Sequence, residues 1–170
     1  HFTEGLLEQI RILGVETVFV TLHVGWDSFR PVVTAEIELH KMHSEYWELG
    51  QEAADIINRA KREGRRVISV GTTAVRLLEQ AATRVDHGKM GIADNEHRIT
   101  AGSGWASLFI YPGYRFRIVD ALLTNFHLPK STLLMLASAF AGRERILKAY
   151  REAADCGYRF YSFGDAMLIV

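Results

Sequence analysis

A chain of 170 residues that is 48% apolar suits one domain with a real core, and its modest Gly and Pro content excludes a disordered or low-complexity chain. Its 20 basic and 20 acidic side chains cancel at a pI near 7.2, so no global field draws it to a polyanion or membrane, and a polyanionic partner needs a local patch. The single cysteine, Cys156, excludes an intrachain disulfide and fits a reducing, cytoplasmic setting, and no apolar run of about eighteen residues exists to span a bilayer.

Thr3 is placed to cap a helix reaching about Leu13, with Leu6, Leu7, Ile10 and Leu13 on one face and Gly14 ending it. Residues 15–24 are β-rich with little alternation, which predicts a buried strand central in a sheet. Residues 25–43 form a long irregular connection around Pro31, with Trp26, Phe29, His40 and His43 as ordering residues. A helix is predicted over 48–64, with Ala53, Ile56, Ile57 and Ala60 inward. The basic run Arg59, Lys61, Arg62, Arg65, Arg66 reads as its solvated end. A strand follows over 65–70, then a tight turn at Gly71-Thr72-Thr73 and a helix over 74–82. Residues 84–107 read as loop with room for one short strand.

Strands are predicted over 108–111 and 117–126, on either side of a Pro112-Gly113 turn. A helix opens at Ser131 or Thr132 and runs to Ala141, too apolar at Leu133, Leu134, Met135, Leu136 and Phe140 to be exposed. An amphipathic helix spans 143–155, Cys156 reads as structural, and a last strand covers 160–170. The order α-β-α-β-α-β-β-α-α-β predicts a single α/β domain over 1–170. Its sheet should be mainly parallel with helices on both faces, a three-layer α/β/α arrangement. No signal peptide is visible, and the start at His1 rather than Met leads us to expect part of a longer protein.

Several words carry chemistry. In Val70-Gly-Thr-Thr-Ala-Val-Arg76 a strand hands over to a helix, whose first N–H groups point toward an anion or carboxylate. Gly71 permits close approach, Thr72 or Thr73 caps and offers a hydroxyl, and Arg76 lies one turn in, where it pairs with a carboxylate. The word is neither a Walker loop nor a dinucleotide fingerprint. His23 ends the first strand. His40, His43 and Glu45 lie close together without the spacing of a zinc site, so acid/base chemistry is preferred over a metal. Asn125-Phe-His127-Leu-Pro129 puts an amide, an imidazole and a rigid turn just before a helix anchored on the core. The words Phe109-Ile-Tyr111 and Tyr158-Arg-Phe-Tyr-Ser-Phe163 have base-stacking composition, although aromatics in strands are ordinarily core. No Gly-x-Ser-x-Gly elbow or Ser-His-Asp order suggests a hydrolase.

Together, Phe19 to Gly25, Phe29-Arg-Pro-Val32, His40 to Tyr46, Val70 to Arg76, Phe109 to Tyr114, Val119 to Thr132, Ser138 to Gly142 and Tyr158 to Met167 resemble the S-adenosylmethionine:tRNA ribosyltransferase-isomerase family of the queuosine pathway. The resemblance runs the whole chain in order, and Val119 to Gly142 is its most specific stretch. It implies the C-terminal portion of the family's large α/β domain, with an upstream segment and an inserted small β-barrel domain absent. Trp26-Asp27-Ser28 stands where the family has a small Gly-Thr word, and Leu39 where an acidic residue is common.

The resemblance implies that S-adenosylmethionine is a co-substrate spent as a ribosyl donor. The acceptor is 7-aminomethyl-7-deazaguanine (preQ1) at the tRNA wobble position, adenine and methionine leave, and epoxyqueuosine is formed without metal or redox cofactor. His23, His43, Glu45 and His127 are the acid/base candidates, with no division of roles among them. Gly71, Thr72, Thr73 and Arg76 are placed at the methionine carboxylate, and Tyr111 and Asn125 at a base, with Ser131 and Thr132 completing the substrate-binding set. Arg115, Arg117 and Lys130 are the tRNA phosphate candidates. The alternatives are a non-catalytic RNA-binding relative, and an enzyme acting on another adenosyl sulfonium or nucleoside without tRNA.

Overall fold

The structure of the protein, a computed structural model, describes residues 1–25, 31–34, 36–86 and 98–170. The Trp26-Asp27-Ser28 word and Phe29 lie outside the described residues.

The elements in chain order are α1 (Glu4–Ile12), β1 (Thr21–His23), a short 3-10 turn (Ile37–Leu39), β2 (Glu45–Leu49), α2 (Gln51–Arg62), β3 (Ile68–Val70), α3 (Thr72–Asp86), β4 (Gly102–Ala106), β5 (Ala121–Asn125), α4 (Thr132–Ala141), α5 (Arg143–Asp155) and β6 (Ala166–Ile169). Thr3 caps α1 as expected, its hydroxyl accepting from the Leu6 N–H at 3.2 Å. No residue of α1 is buried.

The class is mixed α/β, but the described strands do not form one mainly parallel sheet. They form two three-stranded sheets. One has the order β1-β2-β4 and is antiparallel throughout. The other has the order β3-β5-β6, with β3 and β5 parallel and β6 antiparallel to β5. Two local misreadings explain the difference. Residues 45–49 alternate in burial, with Glu45, Trp47 and Leu49 inward and Tyr46 and Glu48 outward, which is the two-residue period of a strand. That strand ends at Leu49, Gly50 is the N-cap, and the helix begins only at Gln51. The apolar run 15–24 contributes only Thr21–His23, at the edge of its sheet, and Val15 and Phe19 are exposed.

Smaller differences follow the same lines. Residues 108–111 are not in a strand, although the turn at Pro112-Gly113 is present, with Tyr114 N–H donating to the Tyr111 carbonyl at 3.0 Å and Gly113 at φ 105. The last strand is confined to β6. Cys156 is an exposed helix C-cap rather than a core residue. In α4, Leu136 and Ala137 are buried, while Leu133, Leu134, Met135 and Phe140 are half-buried.

Helix α3 is the hub of the core. Val75, Leu77, Leu78, Ala81 and Ala82 are buried, and the helix contacts β1, β2 and β4 of one sheet and β3 and β5 of the other. The core around it is completed by Trp47, Leu49, Ala106, Ile110, Ile118, Leu122 and Leu136. Among the described residues no helix is long and apolar enough to cross a membrane.

Candidate active site

The parallel pair sets the site. Val70 pairs with Leu123, so β3 and β5 end side by side. The turn after β3 and the handover after β5 therefore share one edge of the sheet, where α/β folds bind ligands. Gly71 follows β3 at φ 87, a left-handed conformation suited to glycine, and its N–H donates to the Leu123 carbonyl at 2.8 Å. Helix α3 starts at once, aiming the first-turn N–H groups outward.

A cavity of about 290 Å³ opens at this edge, lined among others by Glu45, Gly71, Thr72, Thr73, Arg76, Asn125, His127 and Ser131. All eight come from the predicted set, and they meet from strand β2, helix α3 and the β5–α4 handover.

The charged heart of the cavity is a buried pair. Arg76 Nη1 donates to Glu45 Oε2, and both side chains are about one-twentieth exposed or less. Arg76 Nε donates to the Leu108 carbonyl at 3.4 Å, and Nη2 is buried without a hydrogen-bond partner among the described residues. Burial pulls the guanidinium below its ordinary pKa, and the Glu45 carboxylate opposes that. Glu45 Oε1 accepts from the Gly25 N–H at 3.2 Å and lies 3.3 Å from His43 Nε2. His43 thus joins the site through Glu45, whereas His40 packs edge-on against Phe109 with ring centroids 5.1 Å apart.

Opposite stands His127. Its Nε2 lies 2.8 Å from Thr124 Oγ1, and its backbone N–H donates to the Tyr150 hydroxyl at 2.6 Å. Burial pushes the imidazole from 6.5 down to about 4, so it is neutral at pH 7. Because the folded pKa lies below the unfolded one, the unfolded state binds the extra proton. The imidazole's penalty is absent above pH 6.5, grows as pH falls from 6.5 and levels off below about 4. Wild type is expected to lose about 3 kcal/mol more stability over that interval than a His127→Asn variant. Urea titrations at pH 7 and pH 4 measure this, and equal losses would put His127 in solvent.

The other polar groups are partly committed. Ser131 caps α4, accepting from the Leu134 N–H at 3.1 Å and donating to the Leu128 carbonyl at 2.7 Å. Asn125 Nδ2 reaches the carbonyls of Gly164 and Asp165, each at 3.3 Å.

The remaining predicted residues do not line this cavity. His23 faces the outer side of its sheet, 3.7 Å from Glu48 and stacked obliquely on Tyr46. Tyr111 is half-buried against Phe109, at 5.1 Å between ring centroids. Thr132 opens α4 and is buried, its Oγ1 without a partner among the described residues. Arg115 and Lys130 are exposed, and Arg117 is half-buried. Lys130 borders a separate hollow beside Val32 and Met135. Arg59 and Arg65 share Glu16, and Lys61 binds Asp120 at 2.8 Å, so these members of the basic run belong to surface ion pairs.

Thr124, Leu128, Tyr161 and Ser162 also line the cavity and were not among the predicted site residues, although Tyr161 and Ser162 fall inside the 158–163 word noted for its base-stacking composition. Thr124 was legible as the hydroxyl three residues before His127. Composition alone does not single out Tyr161 among the aromatics of that word, because its place depends on the turn 159–165.

A family model described as queuosine biosynthesis protein matches residues 1–169. Over all 170 residues the chain is 58% identical to a protein of Heliobacterium modesticaldum named S-adenosylmethionine:tRNA ribosyltransferase-isomerase, and covers 46% of it. It is 52% identical to a protein of the same name from Staphylococcus haemolyticus, covering 47% of that protein. A crystal structure of an S-adenosylmethionine tRNA ribosyltransferase from Thermotoga maritima superposes with a TM-score of 0.77 at 40% identity, over 99% of this chain and 50% of that one. The chain thus spans about half the length of the relatives it matches. On this match along its whole length, the chain belongs to the queuosine biosynthesis protein family.

Proposed function

We propose that this chain carries the S-adenosylmethionine site of a tRNA ribosyltransferase-isomerase. The ribosyl group of S-adenosylmethionine is transferred to preQ1 at the wobble position, releasing adenine and methionine and giving epoxyqueuosine. The observation that carries the reading is the cavity in which the Arg76–Glu45 pair and the α3 N-terminus meet a neutral His127.

The chemistry assigns the groups. The methionine carboxylate needs N–H donors and a cation, and Arg76 Nη2 is a buried donor still without an acceptor. Thr72 and Thr73 stand at the adjoining helix start. The sulfonium acidifies the neighbouring 5′ carbon, and a base must take a proton there. His127 lines the cavity and is the candidate for that base. Departing adenine needs a proton, and His43, 3.3 Å from Glu45, is the candidate to supply it. S-adenosylmethionine is a co-substrate, and no metal or redox cofactor enters this scheme. The exposed Arg115 and Lys130, with Arg117 two residues after Arg115, are the candidates for phosphate binding. The rest of the full-length protein supplies the upstream segment, a small β-barrel domain and much of the tRNA surface. A reaction on tRNA places the protein in the cytoplasm.

The test mixes full-length protein with S-adenosylmethionine and preQ1-bearing tRNA, and quantifies free adenine. Adenine is expected only when that tRNA is present, and His127→Asn should lower its release about a hundredfold with the fold retained. Tight tRNA binding without adenine release would instead identify a non-catalytic RNA-binding relative.

A further inference from the structure

The turn 159–165 holds a side chain that neither the core nor the proposed acid/base chemistry explains. Tyr161 has φ 70, a left-handed conformation that a bulky residue rarely adopts. Such a conformation persists only where the surroundings over-determine it, and it marks sites of function. Here the surroundings do so. Arg159 and Asp165 close the base of the turn, with the Arg159 N–H on Asp165 Oδ2 at 2.8 Å, Nη2 on Oδ1 at 3.0 Å, and the Asp165 N–H on the Arg159 carbonyl at 2.8 Å. Gly164 N–H donates to the Tyr161 carbonyl at 3.0 Å, and a Cβ on Gly164 would sit 2.4 Å from the Arg159 oxygen. The Tyr161 N–H donates to the Phe126 carbonyl at 2.9 Å, which pins the turn one residue before His127.

The two aromatic neighbours then part ways. Phe160 enters the cluster with Phe126 and Tyr150, at centroid distances of 4.9 and 5.7 Å. Tyr161 turns to the cavity, lines it, and stays 50% exposed. A glycine would hold this backbone at lower cost, so the ring is what the position retains. The lining of the cavity also includes the apolar Val24, Leu128 and Leu133 as well as the polar Arg76, Glu45 and the start of α3. A half-exposed aromatic ring in a cavity that also has aliphatic lining suits a flat heteroaromatic ring.

We infer that Tyr161 is a positioning residue whose ring stacks against a flat purine-type base bound in this cavity. The inference deepens the proposed function and rests on it. Two bases have the required chemistry: the adenine of the sulfonium donor and the deazaguanine of the acceptor.

Calorimetric titration of the full-length protein with adenosine, and separately with free 7-aminomethyl-7-deazaguanine, decides between them. Wild type is compared with Tyr161→Phe, Tyr161→Ala and Tyr161→Gly. Tyr161→Phe should bind as wild type does. Tyr161→Ala and Tyr161→Gly should bind one of the two ligands about 5- to 100-fold more weakly, and that ligand identifies the base. Tyr161→Gly relieves the backbone, so its urea midpoint should match or exceed wild type while its affinity falls, a split that a purely structural tyrosine would not produce. Unchanged affinity for both ligands in Tyr161→Ala and Tyr161→Gly, or no binding of either by wild type, overturns the inference. Those results beside normal adenine release would leave the proposed function standing. Absence of adenine release from wild type would remove that function, and this inference with it.

Discussion

Arg76→Met is expected to lower the unfolding free energy by about 3–5 kcal/mol, because it strands the Glu45 carboxylate, only 2% exposed, without its cation. The loss comes from a buried carboxylate deprived of its guanidinium partner rather than from missing packing, since Met fills much of the same volume. The double variant Arg76→Met with Glu45→Leu should therefore recover most of it, as buried pairs replaced by apolar groups commonly do. Arg76→Lys keeps the charge but not the planar fork, and should fall between. Urea denaturation of wild type, Arg76→Met, Glu45→Leu and the double variant gives a coupling free energy between the two positions. A value near zero would mean that the pair is solvated. The functional arm runs the other way. The stable double variant should still fail to bind S-adenosylmethionine, because a pair this deeply buried and this dispensable for folding is best explained by the ligand. Restored stability with restored binding would return Arg76 to the architecture.

The words that carry chemistry were legible because each is local. Gly71 to Arg76 and Asn125 to Ser131 are strand-to-helix handovers, and a handover is written in adjacent residues: a glycine at positive φ, a cap, an apolar helix. That the two handovers meet was legible only as a class expectation, and the Val70–Leu123 pairing is what brings them together. Strand pairing is where local reading stopped. Tyr46 to Leu49 adjoin a strongly helical segment, and only their partners across the sheet, Trp105, Gly104, Ser103 and Gly102, make them a strand. His23 looked like a site residue because it ends a β-rich run. At an edge strand, alternation sent it to the outer face. The positive φ of Tyr161 depends on a clamp between Arg159 and Asp165 that no spacing rule predicts.

Glu79→Ala should be the most damaging single change in the molecule. Glu79 is a helix residue with no exposed surface, and sequence reasoning gave it no role. Its carboxylate accepts from three backbone N–H groups, Arg117 at 2.9 Å and Ile118 and Val119 at 3.0 Å each, and from the Tyr114 hydroxyl at 3.1 Å. Burial, reinforced by Glu79 itself, pushes the Tyr114 phenol well above its ordinary pKa, so it remains a donor. Truncation leaves these donors facing an apolar gap, at about 1–3 kcal/mol for each one stranded, so a loss of at least about 4 kcal/mol is expected. Against a total stability of about 5–15 kcal/mol, that brings the chain close to unfolding. Glu79→Gln keeps the shape but aims an NH₂ at groups that need an acceptor, and should recover little. Tyr114→Phe removes one donor and should cost only about 1 kcal/mol. Urea denaturation ranks the variants, and hydrogen exchange at residues 117–119 locates the damage. The segment these bonds hold against α3 leads directly into β5, whose far end presents Asn125 and, two residues on, His127. A milder variant such as Tyr114→Phe should therefore lose adenine release before it loses its fold. The reverse order would mean that the handover after β5 is held in place from α4 and not from α3.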